Sequence, residues 1–172
     1  MLPVGVSKAF TEGGLTVDVS TIPTSRLGRD NRGLFVQKPG IFNDIPNQVD
    51  AAANPNEFID FDFGSELVQS ISVVFSRVGF NDDFSFSVDG NVILPDTDIL
   101  GVGNNRVFSF DSSVPLGSVL RFRASNFNDD FTISKLTVYA VQQVPTPAAV
   151  LPVISGLFAA AGRRKDEESE EA

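Results

Sequence analysis

Apolar and polar residues alternate with a period of two through most of the chain before Gln143. Leu15, Val17 and Val19 alternate with Thr16, Asp18 and Ser20, and Ile59, Phe61 and Phe63 alternate with Asp60 and Asp62. Ile71, Val73 and Phe75 stand against Ser72 and Ser76. Phe84, Phe86 and Val88 stand against Ser85, Ser87 and Asp89, Phe108 and Phe110 flank Ser109, and Leu120, Phe122 and Ala124 alternate with Arg121 and Arg123. Successive strand side chains point to opposite faces, so each run predicts a strand with one buried face. In the last run the phase slips: Phe131 and Ile133 are odd-numbered, whereas Leu136, Val138 and Ala140 are even. One inserted residue restores the face, which predicts a β-bulge near Ser134 or Lys135.

No segment before residue 148 sustains a helical period, and Gly, Pro, Asn and Asp punctuate the runs. The expected fold is all-β, an antiparallel two-sheet β-sandwich of jelly-roll type over residues 1–143. Residues 26 to 55 are the least regular part. They predict a long loop with one short strand at Leu34 to Gln37, a candidate functional loop by its length.

The sequence also repeats itself. Residues 75–88 align without gaps to residues 122–135 with seven of fourteen columns identical, around a shared Phe-Asn-Asp-Asp-Phe at 80–84 and 127–131. An alternating strand runs in, a short polar segment follows, and an alternating strand runs out, which predicts two hairpins. Gly79 aligns with Asn126, the residue types that most readily adopt a left-handed backbone, so this column is the expected turn position. Asx-turns by the Asn and Asp that follow account for the repeat structurally. The functional alternative is a calcium site, or two, built from Asp82, Asp83, Asp129 and Asp130, because a hard cation takes oxygen ligands and these loops are rich in them. A carboxylate pair for glycoside hydrolysis is a third reading, although the Trp and Tyr platforms that hold sugar rings are scarce here.

Composition narrows the chemistry. The chain has no His, no Cys, no Trp and a single Tyr, Tyr139. A Ser-His-Asp triad, a thiolate nucleophile and the usual zinc ligands are therefore excluded, leaving carboxylates or Lys as protein-borne catalysts. A non-catalytic protein is expected, with no required cofactor and calcium as the one candidate ion. The net charge of −9 argues against a nucleic-acid partner. Sixteen Phe residues predict a large aromatic core.

After Ala140 the character changes. Val144-Pro145-Thr146-Pro147-Ala148 opens a Pro linker (144–147), an apolar run follows (148–162), then the basic Arg163-Arg164-Lys165 and an acidic end complete a tail (163–172). The prolines deny strand pairing, so the folded domain is expected to end near Gln143. As a helix the apolar run would span about 22 Å, and the basic stop would stay cytoplasmic with the sandwich outside. Residues Met1 to Phe10 contain no basic segment followed by an apolar one, so export would use a signal upstream of Met1 or one already removed.

Linker, apolar segment and basic stop, in that order, resemble the PEP-CTERM sorting signal in its Pro-Thr-Pro-Ala (PTPA-CTERM) variant, known from cyanobacteria. Thr146 stands where the commoner motif has Glu. The resemblance implies an exported protein, tethered to the membrane by a transmembrane helix, processed by an exosortase-like enzyme, and placed at the cell surface or in the extracellular matrix, often with exopolysaccharide. A calcium- or glycan-binding sandwich module is the alternative expectation.

Overall fold

A computed structural model of the chain describes residues 2–3, 7–38, 45–51 and 56–141. The chain divides into two units, Met1–Gln142 and Gln143–Ala172. The expected sorting motif Val144 to Ala148, the apolar helix, the basic stop Arg163 to Lys165 and the tail lie outside the described residues.

In chain order the strands are β1 (Leu2–Pro3), β2 (Ser7–Glu12), β3 (Leu15–Ser20), β4 (Arg26–Asp30), β5 (Gly33–Gln37), β6 (Val49–Asp50), β7 (Phe58–Asp62), β8 (Leu67–Ser76), β9 (Asp83–Val88), β10 (Asn91–Asp98), β11 (Arg106–Ser109), β12 (Val119–Ala124) and β13 (Asp130–Val141). They form two sheets whose pairings are all antiparallel. One has the order β1-β4-β5-β13-β8-β11 with β6 on β13; the other has the order β10-β9-β12-β7-β3-β2. There is no helix among the described residues, so the all-β, two-sheet expectation holds for this part of the chain.

The sheets pack face to face through phenylalanine. Phe75 of β8 meets Phe84 of β9 at 4.9 Å between ring centroids, and Phe86 of β9 meets Phe110, just beyond β11, at 4.6 Å. Phe122 of β12 touches Phe75, Phe86 and Phe110 at 6.3, 5.0 and 6.3 Å. Phe35, Phe75, Phe84, Phe86, Phe122 and Phe131 are essentially fully buried. Each such side chain contributes about 1.5–3 kcal/mol relative to exposure, with further gain from edge and tilted ring geometry.

Strand registers explain which patterns hold. Residues 59, 61 and 63, residues 84, 86 and 88, and residues 120, 122 and 124 are buried as their alternation requires. The β13–β8 register shifts between Ile133 and Lys135, leaving Ser134 extra. That is the expected bulge, and Leu136, Val138 and Ala140 beyond it pack on the core. A second shift, between Thr137 and Val138, faces Ser72 and Ser70 and leaves Ile71 unmatched. Ile71 is therefore exposed rather than in the core face with Val73 and Phe75, and Val68 and Ser70 point inward in its place. On the outer face Arg121 bonds Asp60 bidentately at 2.6 and 2.7 Å and lies over the Phe58 ring.

The described part of residues 26 to 55 is more regular than its sequence predicts. Besides the expected strand, now β5, Arg26–Asp30 forms β4, which pairs with β5 in a hairpin. Gly28 sits opposite Phe35, whose ring covers it: a Cβ there would lie 2.2 Å from the ring edge. The missing side chain is what lets the ring lie flat on the strand, and it also removes the alternation that would have revealed β4.

Candidate cation site at the loop end

The repeated segments are not hairpins. β8 pairs with β13 and β11, and β9 with β10 and β12, so residues 77–82 carry the chain from one sheet to the other. Residues 125–129 make the return crossing from β12 to β13. A polar segment between two alternating runs suits either geometry, and the Phe side chains on both sides of the gap decide for the crossing by filling the core from both sheets.

The register relates the two copies by an approximate two-fold. Phe75 pairs with Ile133, and the residues equivalent to these in the repeat, Phe122 and Phe86, also pair. Ser76–Thr132 and Arg123–Ser85 correspond in the same way. Asp82 is thus equivalent to Asp129, and Asp83 to Asp130. Each loop is closed alike: Asp82 Oδ2 accepts from the Gly79 N–H at 2.5 Å, and Asp129 Oδ2 accepts from the Asn126 N–H. The left-handed residues are Arg77 and Asn81, not Gly79 and Asn126. The carboxylate bond to the backbone of the loop column does the work that a left-handed turn was expected to do.

The crossings bring all four predicted carboxylates to one end of the sandwich, with a third element beside them. Ile99, just after β10, donates its N–H to the Asp82 carbonyl at 2.9 Å, and β10 runs antiparallel to β9 with Asp98 opposite Asp83. This places Asp96 in the group. Carboxylate oxygens of Asp83, Asp96 and Asp129 all lie within 4.8 Å of one another. An ion about 2.3–2.6 Å from each oxygen fits oxygen pairs separated by up to roughly 5 Å, so one calcium ion could be shared by all three. Asp129 is 1% exposed; its Oδ2 accepts from the Asn126 N–H, and its Oδ1 meets no donor at hydrogen-bond geometry although the Asp83 and Ser125 N–H groups lie near the carboxylate. A buried carboxylate oxygen left unpaired is costly unless an ion answers it.

The equivalent pair is arranged differently. The Asp130 N–H faces Asp82 Oδ1 at 3.4 Å, Gln48 donates its side-chain amide to Asp130 Oδ1, and the buried Asp50 accepts from the Ile45 N–H at 2.9 Å. Protein donors hold this half together.

Electrostatics mark the whole group. Burial raises the pKa of Asp82, against the pull of the Gly79 and Asp130 N–H groups, and Asp129 and Asp83 add repulsion. Burial also raises Asp83, helped by Asp129, Asp96 and Asp98. Asp129 is raised by burial and then by Asp96, while the backbone N–H groups of Asn126, Asp83 and Ser125 pull it down. Asp130 is pushed up to about 6 by burial and by Asp82, Asp50 and Asp129. So many carboxylates disfavouring their own charge is the field a divalent cation would relieve.

Sequence reasoning missed Asp96, Asp98 and Asp50, which lie outside the repeat. Asp96 and Asp98 carry one faint signal, a two-residue spacing that puts both on one strand face. Asn126 holds Asp96 in place through its amide, at 3.0 Å to Oδ1. No protein-family model, curated protein or solved structure matches this chain. The class it defines is an acidic two-sheet β protein with a carboxylate cluster at one end.

Proposed function

We propose that this chain is an exported, non-catalytic surface protein whose β-sandwich carries a calcium site formed by Asp83, Asp96 and Asp129. One observation carries the calcium assignment: three carboxylates close enough to share an ion, one of them buried with an unpartnered oxygen. A jelly-roll winding is part of the reading. Within the two sheets the orders β5-β13-β8-β11 and β7-β12-β9-β10 are those of an eight-strand chain folded over on itself, which supports it.

The resemblance of residues 144–165 to a PTPA-CTERM signal supports export, tethering through an apolar helix at 148–162, processing by an exosortase-like enzyme, and residence at the cell surface or in an exopolysaccharide matrix. Calcium fits that destination, because extracellular modules work with weak, millimolar-range sites. The carboxylate-hydrolase reading is disfavoured by the burial of Asp129, which leaves no face for a sugar ring. The cleft of about 610 Å3 between the sheets has a single carboxylate in its lining, Glu12, beside residues such as Phe10, Arg29, Leu34, Lys135 and Leu136, so it offers no acid pair.

Thermal melting in calcium and in chelator tests the site. The midpoint is expected to rise with calcium and not with magnesium, and an unchanged midpoint would refute the assignment. Membrane fractionation with intact-mass analysis of the native product tests the address; a soluble cytosolic chain still ending at Ala172 would refute export.

A further inference from the structure

The cleft of about 610 Å3 between the sheets meets its walls in two different ways. On β3 it touches Leu15, Val17 and Val19, and on β7 Phe61 and Phe63, which are alternate residues of each strand. A cavity lying over a sheet face meets every second side chain in this manner. On β13 it touches every residue from Ile133 to Val138, so there it runs along the edge of the strand. The pairing agrees. β5 reaches β13 at one register position, Leu34 opposite Ile133, and from Lys135 to Val141 β13 pairs with β8 alone among the described residues. Gly33, where β5 begins, is pressed so closely on β13 that a Cβ would lie 2.4 Å from the Ile133 carbonyl oxygen. Past that contact one edge of β13 is open, and Phe10, Leu15 and Val17 of the other sheet are only partly buried.

We propose that this slot takes an extended segment of a partner protein, added as a strand along residues 135–141 of β13, with alternate apolar side chains entering the cleft and an acidic side chain at its mouth. Backbone chemistry selects a peptide over an acyl chain. The open edge of β13 presents N–H and C=O groups, which hydrocarbon would cover without answering, whereas an added strand pairs with them. Charge selects the acidic side chain. Arg29 and Lys135 line the cleft with one carboxylate, Glu12, so the lining is net positive in a chain of net charge −9. Neither cation is in an ion pair among the described residues. The same −9 disfavours a second copy as the occupant, because two such chains repel. Asp83, Asp96 and Asp129 do not line the cleft, so the inference stands apart from the calcium reading.

The test combines residue-resolved hydrogen exchange of the full chain with selection from a displayed library of random dodecapeptides. In the free protein the amides of 135–141 that are not bonded to β8 are expected to exchange quickly. Slow exchange at all of them would show the slot already filled and overturn the proposal. Selected peptides are expected to alternate apolar residues, to carry an Asp or Glu, and to slow exchange at those same amides on binding. The Arg29→Glu/Lys135→Glu double variant changes two exposed positions; it is expected to keep the melting midpoint and to bind the selected peptides roughly tenfold more weakly. No enrichment, bound peptides that leave exchange at 135–141 unchanged, or a double variant that binds like wild type overturns the proposal. Retention of palmitate with no peptide enriched overturns it in favour of an acyl ligand. A concentration-dependent dimer in sedimentation velocity that protects the same amides overturns it in favour of a second copy.

Discussion

On one side of the approximate two-fold, Asp83 and Asp129 meet Asp96, and one buried oxygen is left unpaired. On the other, the equivalent pair Asp130 and Asp82 meets Gln48 and the neighbourhood of Asp50, and donors from the protein occupy the oxygens. The same Phe-Asn-Asp-Asp-Phe stretch therefore yields a cation-ready half and a self-satisfied half. The difference comes from what each loop lies against: β10 brings the carboxylate of Asp96, whereas β6 brings Asp50, itself bonded by the Ile45 N–H, and the residue before it brings the Gln48 amide that bonds Asp130. A repeat fixes backbone geometry, and the non-repeated neighbours decide the chemistry.

The scaffold beneath the two halves should behave symmetrically, and this gives the largest effects. Phe75→Ala and Phe122→Ala remove equivalent rings from one aromatic cluster, and each should cost about 3–5 kcal/mol by denaturant unfolding. A clear inequality between them would show that the two-fold does not extend to the energetics of the core.

The cation chemistry should be asymmetric. Asp129→Asn is expected to abolish the calcium-induced thermal shift and weaken calcium affinity by roughly a hundredfold, since it removes charge from the buried ligand. Asp82→Asn at the equivalent position should keep most of the shift. Calorimetric titration of both variants distinguishes the halves, and equal losses would make the cluster one shared site.

Acidity offers a third way to separate metal-free from metal-bound protein. In the folded chain Asp130 titrates at about 6, and Asp82, Asp83 and Asp129 are raised as well; unfolded, such groups titrate near about 4. Between these values the folded state holds more protons, so metal-free stability is greatest near pH 4 and falls as pH rises through about 6. Asp111, lowered by its bonds to Ser113, acts in the opposite sense at lower pH. Melting in chelator from pH 4 to 8 should show the decline, and saturating calcium should flatten it.

The smallest effect belongs to the self-satisfied half. Asp130→Asn removes a carboxylate that resists ionisation and should raise the metal-free midpoint at pH 8 by roughly a few degrees. Calcium affinity should barely change. A large loss of calcium binding in this variant would assign the ion to the other half.

Much of the fold was legible because strands such as β7, β9 and β12 bury one face against Phe-rich neighbours, and the period of two records that directly. The slip at Ser134 was legible for the same reason. β4 was not, because only Leu27 of its five residues is an apolar side chain in the core, and the next position is Gly28, covered by the Phe35 ring, so no alternation shows. The bulge at Ile71 was hidden because its apolar side chain continues the pattern although it points to solvent. At the site, the repeat gave away Asp82, Asp83, Asp129 and Asp130, but a local pattern cannot tell a hairpin from a crossing between sheets. Pairing is long-range, so Asp96 and Asp50 became neighbours only once the strands had their partners.

The position of β13 has a consequence for the order in which this molecule can be made. It is the last strand of the described domain in sequence, yet it lies inside its sheet, between β5 and β8, and β6 also pairs with it. Until residues 130–141 are available, that sheet is two separate pieces with nothing to join them. Synthesis from the N-terminus therefore cannot bank a finished half, and the high sequence separation of the contacts makes closure slow. If the chain is exported as proposed, that delay keeps it threadable through a narrow translocation channel until its final strand arrives.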